Sequence, residues 1–112
     1  MASVFEIGSL DLRVRPDRNR VIVEVSGELD LASVGKLRET LDELRGHGWE
    51  HIVIDLREVT FIDSTGLSLL LNAERSARRP GASFAILDSS PAVARLLEVV
   101  GLKDHFTQAR VR

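Results

Sequence analysis

The chain has 112 residues, 44% hydrophobic and 29% charged, the profile of one soluble globular domain able to bury a core without disulfide or metal staples. Lys+Arg 15 against Asp+Glu 17 leaves a net charge of -2, which argues against direct nucleic-acid binding. The absence of cysteine excludes disulfides and thiolate metal sites, and no apolar run nears the roughly 18–20 residues of a membrane span nor does a signal pattern open the chain, so a cytoplasmic protein is expected.

In chain order, Leu10, Leu12 and Val14 alternate with polar residues, Pro16-Asp17-Arg18-Asn19 reads as a turn, and Val21, Val23 and Val25 resume the alternation. The two runs predict an antiparallel hairpin at a sheet edge. After Gly27, the spacing of Val34, Leu37, Leu41 and Leu44 predicts a helix that Gly46 stops, with Lys36, Glu39, Asp42 and Glu43 off its apolar face. Ile52 to Leu56 is apolar except for Asp55, as in a parallel strand buried on both faces. A second helix is expected from about Ser64 to about Arg78, broken by Pro80-Gly81, and Ala82 to Leu87 reads as a strand.

Ser90-Pro91 then opens a third helix, with an N-cap serine and proline at the first helical position. Val93, Leu96, Leu97 and Val100 form its apolar face, and Gly101 stands where a C-terminal cap belongs. His105 to Val111 reads as a last short strand. Alternation of strands and helices specifies an α/β fold around a mixed, mostly parallel sheet, with right-handed crossovers and the N-terminal hairpin at its edge.

The stretch Thr60-Phe61-Ile62-Asp63-Ser64-Thr65-Gly66-Leu67 carries the chemistry. It joins the buried strand to a leucine-rich helix, so Ser64 is expected at or near the N-cap. There its hydroxyl meets free backbone N–H groups and the positive end of the helix dipole. Plain capping by Ser64 explains the residue without any function, and Asp63 before a helix is ordinary dipole chemistry. Asp30 admits the same two readings, as the cap of the first helix or as a contact residue. It should lie beside Ser64, because both follow the C-terminal ends of neighbouring parallel strands.

Together with Gly27-Glu28-Leu29-Asp30, Ser90-Pro91-Ala92-Val93 and Val100-Gly101-Leu102, in this order and spacing, the stretch resembles the phospho-acceptor region of the STAS domain family, specifically the bacterial anti-sigma factor antagonists. The resemblance covers nearly the whole chain and implies one STAS domain over residues 1–112, with helices packed mainly on one side of the sheet. It implies that Ser64 is phosphorylated, and that Asp30, Asp63, Ser64, Thr65 and Gly66 meet the partner. Gly66 is expected to permit close approach of the helix start to a neighbour or a partner. The implied partners are an anti-sigma factor with serine kinase activity and a serine phosphatase, with no nucleic acid, membrane or cofactor. The free protein is expected to be a monomer. The alternative is a non-switching STAS adaptor or scaffold module, as in stressosomes or lipid-transport accessories.

An exposed serine before a helix also describes a hydrolase nucleophile, but that motif needs Gly-x-Ser-x-Gly and the residue two before Ser64 is Ile62. His47, His51 and His105 fall at no plausible position for a base and show no ligand spacing, and no Walker-type loop exists. Ser64 reads as a substrate, with no catalytic or metal site expected. Trp49 reads as a cover over the edge of the core.

Overall fold

Valines on alternate positions of the second strand, isoleucines on the third and Phe84 with Ile86 on the fourth all point to the same side, and that side is where the helices pack. The computed structural model describes residues 9–110. In chain order these form β1 (Leu10–Asp17), β2 (Arg20–Leu29), α1 (Val34–Gly46), β3 (His51–Ile62), α2 (Ser64–Ser76), β4 (Ser83–Ser89) and α3 (Pro91–Val99). The sheet order is β1-β2-β3-β4, with β1 antiparallel to β2 and the other two pairings parallel. The mixed, mostly parallel sheet with an edge hairpin is thus the one expected.

One apolar cluster joins Val21, Val23, Val25, Ile52, Ile54 and Leu56 to Val34, Leu37 and Leu41 of α1, Leu67 and Leu70 of α2, and Val93 and Leu97 of α3. Trp49 packs against its edge. On the opposite face Ile22, Val53 and Leu87 form a second, smaller patch, covered by Ala109 of the tail. The two-sided burial read for residues 52–56 is therefore real. Helices cover one side and the chain's own end covers part of the other.

Several boundaries differ from the sequence expectation. The hairpin turn contracts to Arg18-Asn19, because Asp17 pairs with Arg20 and Pro16 stays in β1 opposite Val21. Proline is tolerated there because β1 is an edge strand, and the buried Arg20 guanidinium clamps the turn through Asp17 at 2.9 Å. α1 ends at Gly46 as expected, but the glycine that closes it is Gly48. His47 is the cap, and Gly48 takes φ 92 so that its N–H reaches the Arg45 carbonyl at 3.0 Å while Trp49 reaches Leu44 at 3.1 Å. That double closure requires a left-handed residue one position beyond the cap. Gly101 makes the same closure after α3 as expected, but Val100 lies past the last helical turn and is 45% exposed, outside the core.

The tail contributes a single parallel bridge, Ile86 to Gln108, and not a strand; Val111 lies outside the described residues. The largest difference is in length: β2 continues through Gly27 to Leu29, and β3 through Arg57 to Ile62. The polar residues of this extension hid it. Arg57 grips Asp55 with Nη2 at 2.8 Å and Nε at 3.0 Å on the face without helices.

Burial of the Asp55 carboxyl, 5% exposed, pushes its pKa up. The hydrogen bonds and charge of Arg57 outweigh that and hold it below the ordinary carboxylate value. Folding therefore favours the ionised form. The stabilisation is full above the unfolded carboxylate pKa of about 3.9 and is lost as pH falls through the lowered folded value. Asp55→Asn is expected to melt about 3–6 °C below the parent at pH 7, with the gap closing as scans move to lower pH. A gap that stays constant down to pH 2 would assign the loss to packing instead of charge.

Candidate functional site

β2 and β3 leave the sheet side by side. Leu29 pairs with Ile62 at the last position of the ladder, so the next residues, Asp30 and Asp63, stand at adjacent strand ends. The Asp63 N–H donates to the Leu29 carbonyl at 3.3 Å. α2 then begins at once, without an intervening loop.

The cap of α2 is Asp63, so Ser64 stands next to the N-cap, within the expected range, and plain capping does not account for it. With extended backbone at φ -114 and ψ -172, Asp63 turns its Oδ1 back to accept from the N–H groups of Thr65 at 2.9 Å and Gly66 at 3.1 Å. A cap must stand two or three residues before the donors it satisfies, and Asp63 occupies that place. Ser64 is already the first helical residue and is exposed. Among the described residues none forms a hydrogen bond with its hydroxyl. That hydroxyl is free of any structural duty among the described residues and open to a visiting reagent.

Thr65 is half-buried and Gly66 is buried. A Cβ at Gly66 would lie 2.6 Å from the Leu29 carbonyl oxygen and 2.9 Å from Leu29 Cγ. Close approach is thus the reason for this glycine, and the approach is to β2 inside the molecule. Gly66 shapes the site from within, and its burial leaves little surface for the contact role expected of it.

Asp30 caps a turn, not α1 itself. Its Oδ1 accepts from the N–H groups of Ala32 and Ser33, each at 3.1 Å, whereas α1 starts at Val34 with Ser33 as its cap residue. Ser33, which the sequence reading missed, holds this turn. Only 8% exposed, its hydroxyl donates to the Glu28 carbonyl at 2.6 Å and accepts from the Asp30 N–H at 3.1 Å. An Asp-x-x-Ser spacing before a helix was the available signal.

The histidines serve elsewhere. His47 Nδ1 meets the Glu43 carbonyl at 2.7 Å, His51 Nδ1 meets Ser83 Oγ at 2.7 Å, and His105 Nε2 lies 3.4 Å from Glu74. His51 begins β3, the end opposite to Ser64.

A family model described as "Mlab, STAS domain" matches residues 12–108. The anti-sigma F factor antagonist of Paenibacillus polymyxa is 35% identical over 95 residues, covering 84% of this chain and 81% of that protein. The anti-sigma-B factor antagonist of Staphylococcus aureus is 38% identical over 82 residues, covering 73% of this chain and 76% of that one. Among solved structures, an anti-sigma factor antagonist from Mycobacterium paratuberculosis matches with a TM-score of 0.77 at 26% identity, covering 88% of this chain and 83% of the other.

The division of labour at the start of α2 sets the cost of each substitution. Asp63→Ala is expected to lower stability by about 1 kcal/mol through loss of the cap, and Gly66→Ala by about 1–3 kcal/mol through overpacking against Leu29. Ser64→Ala should change it by no more than about 0.5 kcal/mol. Urea unfolding of the three variants checks the order, and a Ser64→Ala loss as large as that of Asp63→Ala would return the capping role to Ser64.

Proposed function

We propose that this chain, which belongs to the STAS domain family, is an anti-sigma factor antagonist that works by partner switching, with Ser64 as its phosphorylation site. Unphosphorylated, the edge formed by Asp30, Asp63, Ser64 and Thr65 binds an anti-sigma factor that is also a serine kinase, and a sigma factor is freed. The kinase transfers phosphate from ATP to the Ser64 hydroxyl and the complex parts. A separate serine phosphatase removes the phosphate and resets the cycle. The protein works in the cytoplasm as a monomer when free and needs no cofactor.

The observation that carries this reading is the exposed Ser64 hydroxyl, without a bonding partner among the described residues, at the start of a helix that Asp63 has already capped. Such a serine can be modified without disturbing the fold. The names of the relatives point the same way.

The switch is electrostatic. A phosphate adds about -1.5 to -2 charges at pH 7 where the partner faced a neutral hydroxyl, beside the carboxylate of Asp63. The free protein bears this easily, because the group stays in water next to the positive end of α2. The complex does not. Burying the charge without a matching cation costs several kcal/mol, against the roughly 8 kcal/mol that holds a micromolar complex together.

Incubation with candidate anti-sigma kinases and ATP, followed by phosphosite mapping by mass spectrometry, tests the reading. One phosphate is expected on Ser64 and none on Ser64→Ala. Ser64→Asp should bind the kinase at least tenfold more weakly, about 1.4 kcal/mol, while melting within a few degrees of the parent. Phosphate on Thr65 would move the acceptor. Binding that no phosphate or Ser64→Asp change weakens would indicate a non-switching adaptor.

A further inference from the structure

We propose that the anti-sigma kinase docks an apolar side chain with a neighbouring carboxylate into a groove between the end of β3 and α3, a surface separate from the phosphorylated serine; this rests on the reading of Ser64 as a kinase substrate. The groove arises because β3 outruns β4. Their last pair is Leu56 with Ser89, after which Ser90 donates its N–H to the Leu56 carbonyl at 3.1 Å and the chain turns into α3. α3, not a further strand, therefore flanks the last stretch of β3. The space between holds about 560 Å³ and is lined by Phe61, Ile62, Ala92, Arg95, Leu96 and Val99. Ile62, two residues before Ser64 in the chain, is part of its lining.

Phe61 is 49% exposed and Val99 is 76% exposed, a half-wet ring and an open valine sharing one groove. Neither is needed to close the core. A stable complex buries about 800 Å² on each partner around an apolar centre rich in aromatic residues and arginine. Asp63, Ser64 and Thr65 supply mainly polar groups, and this groove beside them provides an apolar centre. Arg95 is the sole charged residue lining the groove, and among the described residues it has no carboxylate partner. A partner that fills the slot with an apolar side chain and presents a carboxylate to Arg95 satisfies both features.

Because the docking contacts lie away from the reacting oxygen and persist from ground state to transition state, they should act on KM and leave kcat alone. The test uses the kinase found to label Ser64 as the probe, with initial rates measured against the concentration of this protein. Phe61→Ser, Val99→Ser and Arg95→Glu should each raise KM at least fivefold with kcat within twofold, and Arg95→Lys should restore most of the loss. Val14→Ser, at an exposed apolar residue of β1, should behave as the parent, and thermal melts should agree within a few degrees. Unchanged KM in the three groove variants, with Ser64 still labelled, overturns the docking groove and leaves the switch intact. Self-association that Phe61→Ser abolishes without changing KM would give the groove to a second copy and also overturn the proposal. If no candidate kinase labels the parent, both readings fall together.

Discussion

The carbonyl oxygen of Leu29 is the point on which this edge of the molecule turns. It ends β2, accepts the Asp63 N–H at 3.3 Å, and lies so close to Gly66 that a Cβ there would come within 2.6 Å. The first turn of α2 is thereby set directly on the last residue of the neighbouring strand. Only with that turn in place can Asp63 reach the Thr65 and Gly66 N–H groups. Once it does, Ser64 has no remaining task in the fold. A single tight backbone contact thus separates the residue that holds the helix from the residue available for chemistry.

Strand order extends this local arrangement to a surface. Because β2 and β3 are parallel neighbours, the turn after one and the helix start after the other project from the same edge. Asp30 and Ser33 shape the first, and Asp63 and Gly66 the second. The helices bury one face of the sheet and contribute to a continuous core, so the edge rests on well-packed β-structure. The other face carries the Asp55–Arg57 pair and a small apolar patch under the tail. A charge added at Ser64 is therefore expected to change what the edge can bind while leaving its shape in place.

Much of this was legible in the residues. Period-two apolar residues gave β1 and β2, helical spacing gave the buried faces of α1 and α2, and Ser90-Pro91 with Gly101 marked both ends of α3. What escaped was set by tertiary contact. The last half of β3 contains Arg57, Glu58 and Thr60, whose polarity reads as a loop because β4 ends early and leaves that stretch partly in water. At Asp63-Ser64, two good capping residues are adjacent, and the backbone decides between them. Gly66 was read correctly as a close-approach residue, but its neighbour could not be known without the strand pairing that places Leu29 beneath it. For Ser33 the Asp-x-x-Ser spacing signalled a turn, but the bond of its hydroxyl to a carbonyl five residues back is visible only once that turn is built.

A charge switch on a preformed platform makes a specific demand on the phosphorylated protein. Backbone amide chemical shifts, recorded before and after enzymatic phosphorylation of Ser64, measure it most directly. Changes should be confined to residues 61–68 and to the turn from Leu29 to Val34, with Val23, Ile54 and Ile86 at the centre of the sheet unmoved. Shift changes spreading through those central strands would mean that phosphate acts by reshaping the fold, and would contradict an electrostatic switch.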